Sequence, residues 1–129
     1  MVVYVFRRAQ SCRMLSDLLV ATDSNEVIEA CHAHHIPAVL TSAEHRSGTD
    51  RLWEVSRARV ADVYVNIQGD EPLVTTGHIE TLVRPFLREP EVQVTTLKIP
   101  GVNLLLYHGV LAPRGVVTLC ILSSNTWNL

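Results

Sequence analysis

The sequence predicts an α/β domain built on a mostly parallel sheet with helices on both faces. Two patterns carry that expectation. Apolar, β-branched runs at 17–22, 38–41 and 63–67 are bounded by turn formers, the habit of strands buried on both faces. Between them, apolar residues recur at three- and four-residue spacing, so strand and helix alternate in the order that right-handed crossovers fold into a parallel sheet.

Each element has its own warrant. Val2, Val3, Val5, Phe6 and Ala9 recur at helical spacing with Arg7, Arg8 and Gln10 on the other side, so the chain opens on a helix. A strand over 17–22 follows, and Asp23-Ser24-Asn25-Glu26 has the D-x-x-E spacing of a helix cap. That helix would turn Val27, Ile28, Cys31 and His35 inward. Pro37 closes it, 38–41 is the next strand, and the polar stretch from Ser42 to Ser47 is a loop. Gly48-Thr49 opens a helix with Leu52, Trp53 and Val55 inward and Arg57 and Arg59 toward water. After the strand at 63–67, Thr75 or Thr76 would cap a helix with the stripe Ile79, Leu82, Val83, Phe86 and Leu87. Pro85 predicts a kink or an early end in it. A strand over 92–99 completes the series.

Beyond Pro100 the character changes. All thirteen acidic residues lie at or before Glu91, and from Gly101 on the only Lys or Arg is Arg114. Residues 116–122 could form one more strand, but no periodic helix follows to cover it, and an exposed apolar strand is an aggregation hazard. The organisation expected is one domain over 1–100 and an apolar tail over 101–129.

Composition narrows the partners. The chain has 129 residues, is 47% hydrophobic and carries a formal net charge of −2, with its eleven basic residues scattered; neither nucleic acid nor an anionic membrane is an expected partner. Three cysteines without a C-x-x-C pair argue against a disulfide framework and for a reducing cytoplasm. The apolar start runs straight into Arg7-Arg8, too short for a membrane span and without the basic region of a signal peptide.

Three constellations bear on chemistry. Cys31-His32-Ala33-His34-His35 has an i, i+4 pair of metal-ligating residues but no second pair at zinc spacing, and Cys31 falls on the apolar stripe; no structural metal is expected there. His45-Arg46-Ser47-Gly48-Thr49-Asp50-Arg51 enters a helix with hydroxyls and free N–H groups that suit an anion, although taken singly the motif favours an ordinary N-cap. Val65-Asn66-Ile67-Gln68-Gly69-Asp70-Glu71-Pro72 ends an apolar strand in two carboxylates, at the carboxyl edge where α/β sheets collect ligands and where a hard cation or a sugar hydroxyl could be met; a plain strand-to-loop exit with solvated acids is the alternative. No Walker A, G-x-G-x-x-G or G-x-S-x-G motif occurs.

Taken together, Leu19-Val20-Ala21-Thr22-Asp23, His45 to Leu52 and Val65 to Pro72, in that order and spacing, resemble the 3-deoxy-manno-octulosonate cytidylyltransferase (CMP-Kdo synthetase) family over 1–100. The resemblance implies part of a nucleotide-diphospho-sugar transferase fold and Mg²⁺-dependent joining of Kdo to CMP from CTP, with release of pyrophosphate, for lipopolysaccharide synthesis. By position it makes Asp70 the Mg²⁺-holding carboxylate and Gln68 a partner of the sugar acid, and lines the nucleotide pocket with Ser47, Gly48, Thr49 and Arg51. It also implies a homodimer for the full-length family. The family's first strand and its basic loop would precede Met1, and its C-terminal half has no counterpart after Pro100, so the chain reads as a fragment expected not to turn over alone. A cytidylyltransferase for another sugar acid such as sialate, and a non-catalytic α/β binding module, remain alternatives.

Overall fold

The computed structural model describes residues 1–98, 105–111 and 117–123. Among these residues, four helices and six strands follow in the order α1 (Val2–Gln10), β1 (Asp17–Thr22), α2 (Asn25–Ala33), β2 (Ala38–Leu40), α3 (Gly48–Ala58), β3 (Val63–Gln68), α4 (Thr76–Arg88), β4 (Val94–Lys98), β5 (Leu105–Leu111) and β6 (Val117–Ser123). The strands form one sheet of order β2-β1-β6-β3-β5-β4. β2, β1, β6 and β3 are mutually parallel, while β5 runs antiparallel to both β3 and β4.

Strand alternation sorts the core into two layers. Val20, Val63, Val65 and Ile67 face a cluster supplied by α1 (Val2, Val5, Phe6, Ala9), α2 (Cys31) and α4 (Ile79, Leu82, Val83). Leu19, Ala21 and Tyr64 point the other way, onto Leu52 and Val55 of α3. Helices therefore cover both faces. Val5, Val65, Ile67 and Ile79 are wholly buried, and each such side chain contributes about 1.5–3 kcal/mol relative to exposure.

Several expectations change in detail. Ser24, not Asp23, caps α2, its hydroxyl accepting from the Val27 N–H at 3.4 Å. Trp53 is 69% exposed rather than inward, and Arg51 takes the buried position beside Leu52 and Val55. α4 is capped by Thr75 and runs through Pro85 to Arg88, so the proline does not end it; Leu87, placed on its inner stripe, is exposed. Within the stretch read as an apolar tail, β5 and β6 both join the sheet. β6 lies at its centre, bonded to β1 on one side and β3 on the other, rather than being left as an exposed strand. Ile99, the expected last residue of the β4 strand, lies outside the described residues.

Candidate active site at the carboxyl edge

Because β1, β2 and β3 are parallel, the loops that follow them open on one edge of the sheet. Ala21 of β1 and Gln68 of β3 both stand opposite Leu122 of β6, so the two strands end level with each other. One intervening strand separates them, or about 9–10 Å. The three sequence motifs are thereby gathered: Asp23 leaves β1, the loop to Ser47 leaves β2, and Gly69-Asp70-Glu71 leaves β3.

Ser47 is the N-cap of α3. Its hydroxyl oxygen accepts from the Asp50 N–H at 3.2 Å and its O–H donates to Asp50 Oδ2 at 2.8 Å. Gly48 and Thr49 occupy the first turn, where a helix offers its own N–H groups no acceptor and its dipole favours an anion. Ser47 and Thr49 are exposed and Gly48 is half-buried, so this end of the helix is open to a ligand.

Arg51, expected to line the nucleotide pocket, is buried with its guanidinium turned inward. Its Nη2 donates to Asp23 Oδ2 at 2.8 Å and its Nη1 to the Thr41 hydroxyl. The Thr41 N–H in turn donates to the Thr22 carbonyl at 2.8 Å. One side chain on α3 thus ties together the exits of β1 and β2.

A second carboxylate holds the loop that precedes α3. Glu54 Oε2 accepts from the Ser42 N–H at 3.0 Å and pairs with His45 Nε2. The Ser42 hydroxyl accepts from the Glu44 N–H at 3.1 Å. The His45 hydrogen bond, and after it the Ser42 amide, hold the Glu54 carboxyl below the ordinary glutamate range. Sequence reading quoted His45 without a role and passed over Glu54; the signal available was its place one turn beyond Asp50 and Arg51 on the same helix.

The exit of β3 is formed by two successive turns. The Glu71 N–H donates to the Gln68 carbonyl and the Val74 N–H to the Glu71 carbonyl, each at 3.2 Å. Val74 is fully buried in the core, and its carbonyl accepts from Arg8 Nε of α1 at 2.7 Å. Arg8 is therefore a tether for this loop that the sequence did not reveal. Gly69 is buried at the turn, Gln68 is half-buried at the strand end, and Asp70 is exposed. Burial, and after it the charge of Asp70, push the Glu71 carboxyl above its ordinary value. A carboxyl that burial and a neighbouring carboxylate make costlier to ionise gains from a divalent cation, and Mg²⁺ needs only one or two carboxylates beside phosphate oxygens and water. Among the described residues, no group of three or more His, Cys, Asp or Glu could hold a metal by itself.

The Cys31–His35 run is accounted for by a helix end. The N–H groups of His35 and Ile36 donate to the carbonyls of His32 and Cys31 at 3.0 and 2.9 Å, the paired bonds of a Schellman cap. His35 sits at its left-handed position with φ 54°, exposed beyond the helix rather than on the inner stripe, while Cys31 and Ile36 are buried.

The architecture is that of a nucleotide-diphospho-sugar transferase. It matches the structure of CMP:2-keto-3-deoxy-manno-octonic acid synthetase complexed with CTP at a TM-score of 0.75 and 25% identity, over 85% of this chain and 62% of that one. Sequence defines the family within that class: the cytidylyltransferase family model matches residues 1–107, and the chain belongs to that family. A 3-deoxy-manno-octulosonate cytidylyltransferase of Koribacter versatilis is 51% identical over 96 residues, 74% of this chain and 36% of the relative. The enzyme of the same name from Acidobacterium capsulatum is 45% identical over 100 residues, 78% and 40%. That of Geotalea uraniireducens is 36% identical over 116 residues, 90% and 45%. The chain thus spans less than half the length of these relatives. Among its described residues no helix is long and apolar enough to cross a membrane.

Proposed function

We propose that this chain carries the nucleotide half of a CTP-dependent 3-deoxy-manno-octulosonate cytidylyltransferase, which joins Kdo to CMP and releases pyrophosphate. One observation carries the reading: Asp23, the Ser47-Gly48-Thr49 helix entry and the Gln68-Gly69-Asp70 turn are brought to one sheet edge, with β1 and β3 ending level. The names of the relatives, and the CTP complex of the solved one, agree with it.

In this reading the first-turn N–H groups of α3 and the hydroxyls of Ser47 and Thr49 bind the nucleotide. Arg51 acts from beneath, holding the exits of β1 and β2 in register through Asp23 and Thr41. Gln68 donates its amide to the sugar acid. Asp70, with Glu71 beside it, would hold Mg²⁺. When bound, that ion supplies charge neutralisation at the phosphates, worth several kcal/mol in such sites. The sugar hydroxyl forms a bond to the α-phosphorus as the bond to pyrophosphate breaks, a displacement that requires alignment rather than a protein nucleophile.

Calorimetry of CTP binding tests the proposal. CTP is expected to bind in the presence of Mg²⁺, more tightly than UTP, and Asp70→Asn is expected to abolish the dependence on Mg²⁺. Absence of nucleotide binding would favour the non-catalytic module. Pyrophosphate release with Kdo against release with sialate, in a protein of the relatives' full length carrying this segment, decides the sugar acid.

A further inference from the structure

The nucleotide-binding reading leaves open what shapes the loop between β2 and α3. From Ser42 to Ser47 this loop is polar and largely exposed, with only His45 half-buried, so little apolar burial holds it in place. Its shape must come from specific bonds. Ser47 is fixed at one end by the cap of α3, and Thr41 at the other by the Thr22 carbonyl and Arg51. Between those ends the two tertiary anchors both converge on a single oxygen, Glu54 Oε2, which accepts from the Ser42 N–H and pairs with His45.

We propose that Glu54 is a positioning residue for the nucleotide: it clasps the 42–47 loop against α3 so that Ser47, Gly48 and Thr49 are presented to the phosphates. The inference rests on the nucleotide-binding reading above. Glu54 does not itself touch the ligand; it acts through His45 and Ser42. The charged groups acting on it are His45 from the loop and Arg51 from its own helix, both favouring the carboxylate. Without the clasp the loop samples other shapes, and CTP must select the competent one, so apparent affinity falls by the fraction lost. Three tethers follow one another along α3, since Ser47 caps it, Arg51 reaches the strand ends and Glu54 reaches back over the loop.

The test measures the dissociation constant of Mg²⁺-CTP for the native chain, Glu54→Ala, Glu54→Gln, His45→Ala and the double variant, beside amide exchange at Ser42 and the thermal midpoint without nucleotide. Glu54→Ala is expected to weaken CTP binding about tenfold, as the loss of one charge-assisted bond does, and to speed exchange of the Ser42 N–H. Glu54→Gln, whose amide oxygen can still accept from Ser42, is expected to restore part of the affinity. The effects of Glu54→Ala and His45→Ala should be non-additive because they remove the same contact. CTP affinity within twofold of native for Glu54→Ala, or a loss that merely tracks a fall in thermal midpoint with no rescue by Gln, overturns the proposal. If the native chain fails to bind CTP while Ser42 exchange still responds to Glu54→Ala, the clasp exists and the nucleotide reading is what fails, taking the positioning role with it.

Discussion

Arg51 Nη2 lies 2.8 Å from Asp23 Oδ2, with the side chains 3% and 9% exposed, so the ion pair that joins α3 to the end of β1 is buried. Burying two charges is itself costly, and such a pair is weak evidence for stability; what it provides is a fixed geometry, since each charge is tolerated only opposite the other. Arg51 also donates to Thr41, which bonds the carbonyl of Thr22. The positions of the β1 exit, the β2 exit and the start of α3 are therefore coupled.

Removing either member should be severe. Asp23→Ala is expected to destabilise the fold by about 3–5 kcal/mol, since it leaves the guanidinium without its carboxylate. In the Asp23→Ala, Arg51→Met double variant much of that loss should return. Urea unfolding of the single and double variants gives the coupling, and fully additive losses would show that the pair acts as two independent side chains.

The Glu54 carboxyl gives a pH dependence of definite sign. Its folded-state pKa is lowered, first by the His45 hydrogen bond and then by the Ser42 amide, so its contribution to stability is complete above the unfolded glutamate value and is lost as pH falls through the folded value. Glu54 is 41% exposed on its side chain, and solvent keeps this contribution small. The stability difference between native and Glu54→Gln should be constant at neutral pH and shrink only in the acid range. A difference that instead grew on acidification would reverse the assignment. Carbon-detected NMR titration of Glu54 measures the midpoint directly.

How much of this was legible in the sequence follows from the kind of interaction involved. Periodicity located α1, α3 and α4 because each buries one face against the sheet, and apolar runs located β1 and β3 because each is buried on both faces; burial is written locally in residue type. Placing Asp70 at a strand end required only the apolar run before it and the Gly69 turn. The inward turn of Arg51 was not legible, because a charged residue between Leu52 and Ser47 reads as solvated unless its partner, 28 residues earlier, is known. Trp53 was read inward on hydrophobicity alone, though the face set by Leu52 and Val55 excludes it. The clasp of Glu54 on Ser42 and His45, and the bond from Arg8 to the Val74 carbonyl, are likewise non-local. β6 was the largest omission in placement: an apolar run shows that a strand is buried, but not which strands will flank it.

His35 should be replaceable with profit. A non-glycine residue at φ 54° in a helix cap is strained, and glycine is at ease there. His35→Gly is expected to stabilise the chain by about 0.5–1 kcal/mol in urea unfolding, the unfolded-state entropy of glycine offsetting part of the relief. Metal analysis of protein purified without a histidine tag is expected to find no stoichiometric zinc. A loss of stability on His35→Gly, accompanied by loss of bound zinc, would mean that the cap is secondary to a metal site.

The most consequential backbone test falls on β6. β1 and β3, which deliver Asp23 and Asp70 to the same edge, do not bond to each other; each is paired through its whole length with Val117–Ser123 between them. Leu119 is opposite Leu18 on one side and Val65 on the other, inside both ladders. Proline there removes an N–H from a central strand and imposes a φ that interior strands do not tolerate, costing about 3 kcal/mol or more. With β6 displaced, the sheet would divide into a β2-β1 pair, too small to stand alone, and a separate β3-β5-β4 unit. Leu119→Pro is therefore expected to abolish cooperative unfolding and CTP binding together, whereas Val39→Pro, in the edge strand β2, should leave β1 paired with β6 and much of the transition intact. Retention of a native-like urea transition by Leu119→Pro would show that β1 and β3 are held in register by the helices rather than by the strand between them.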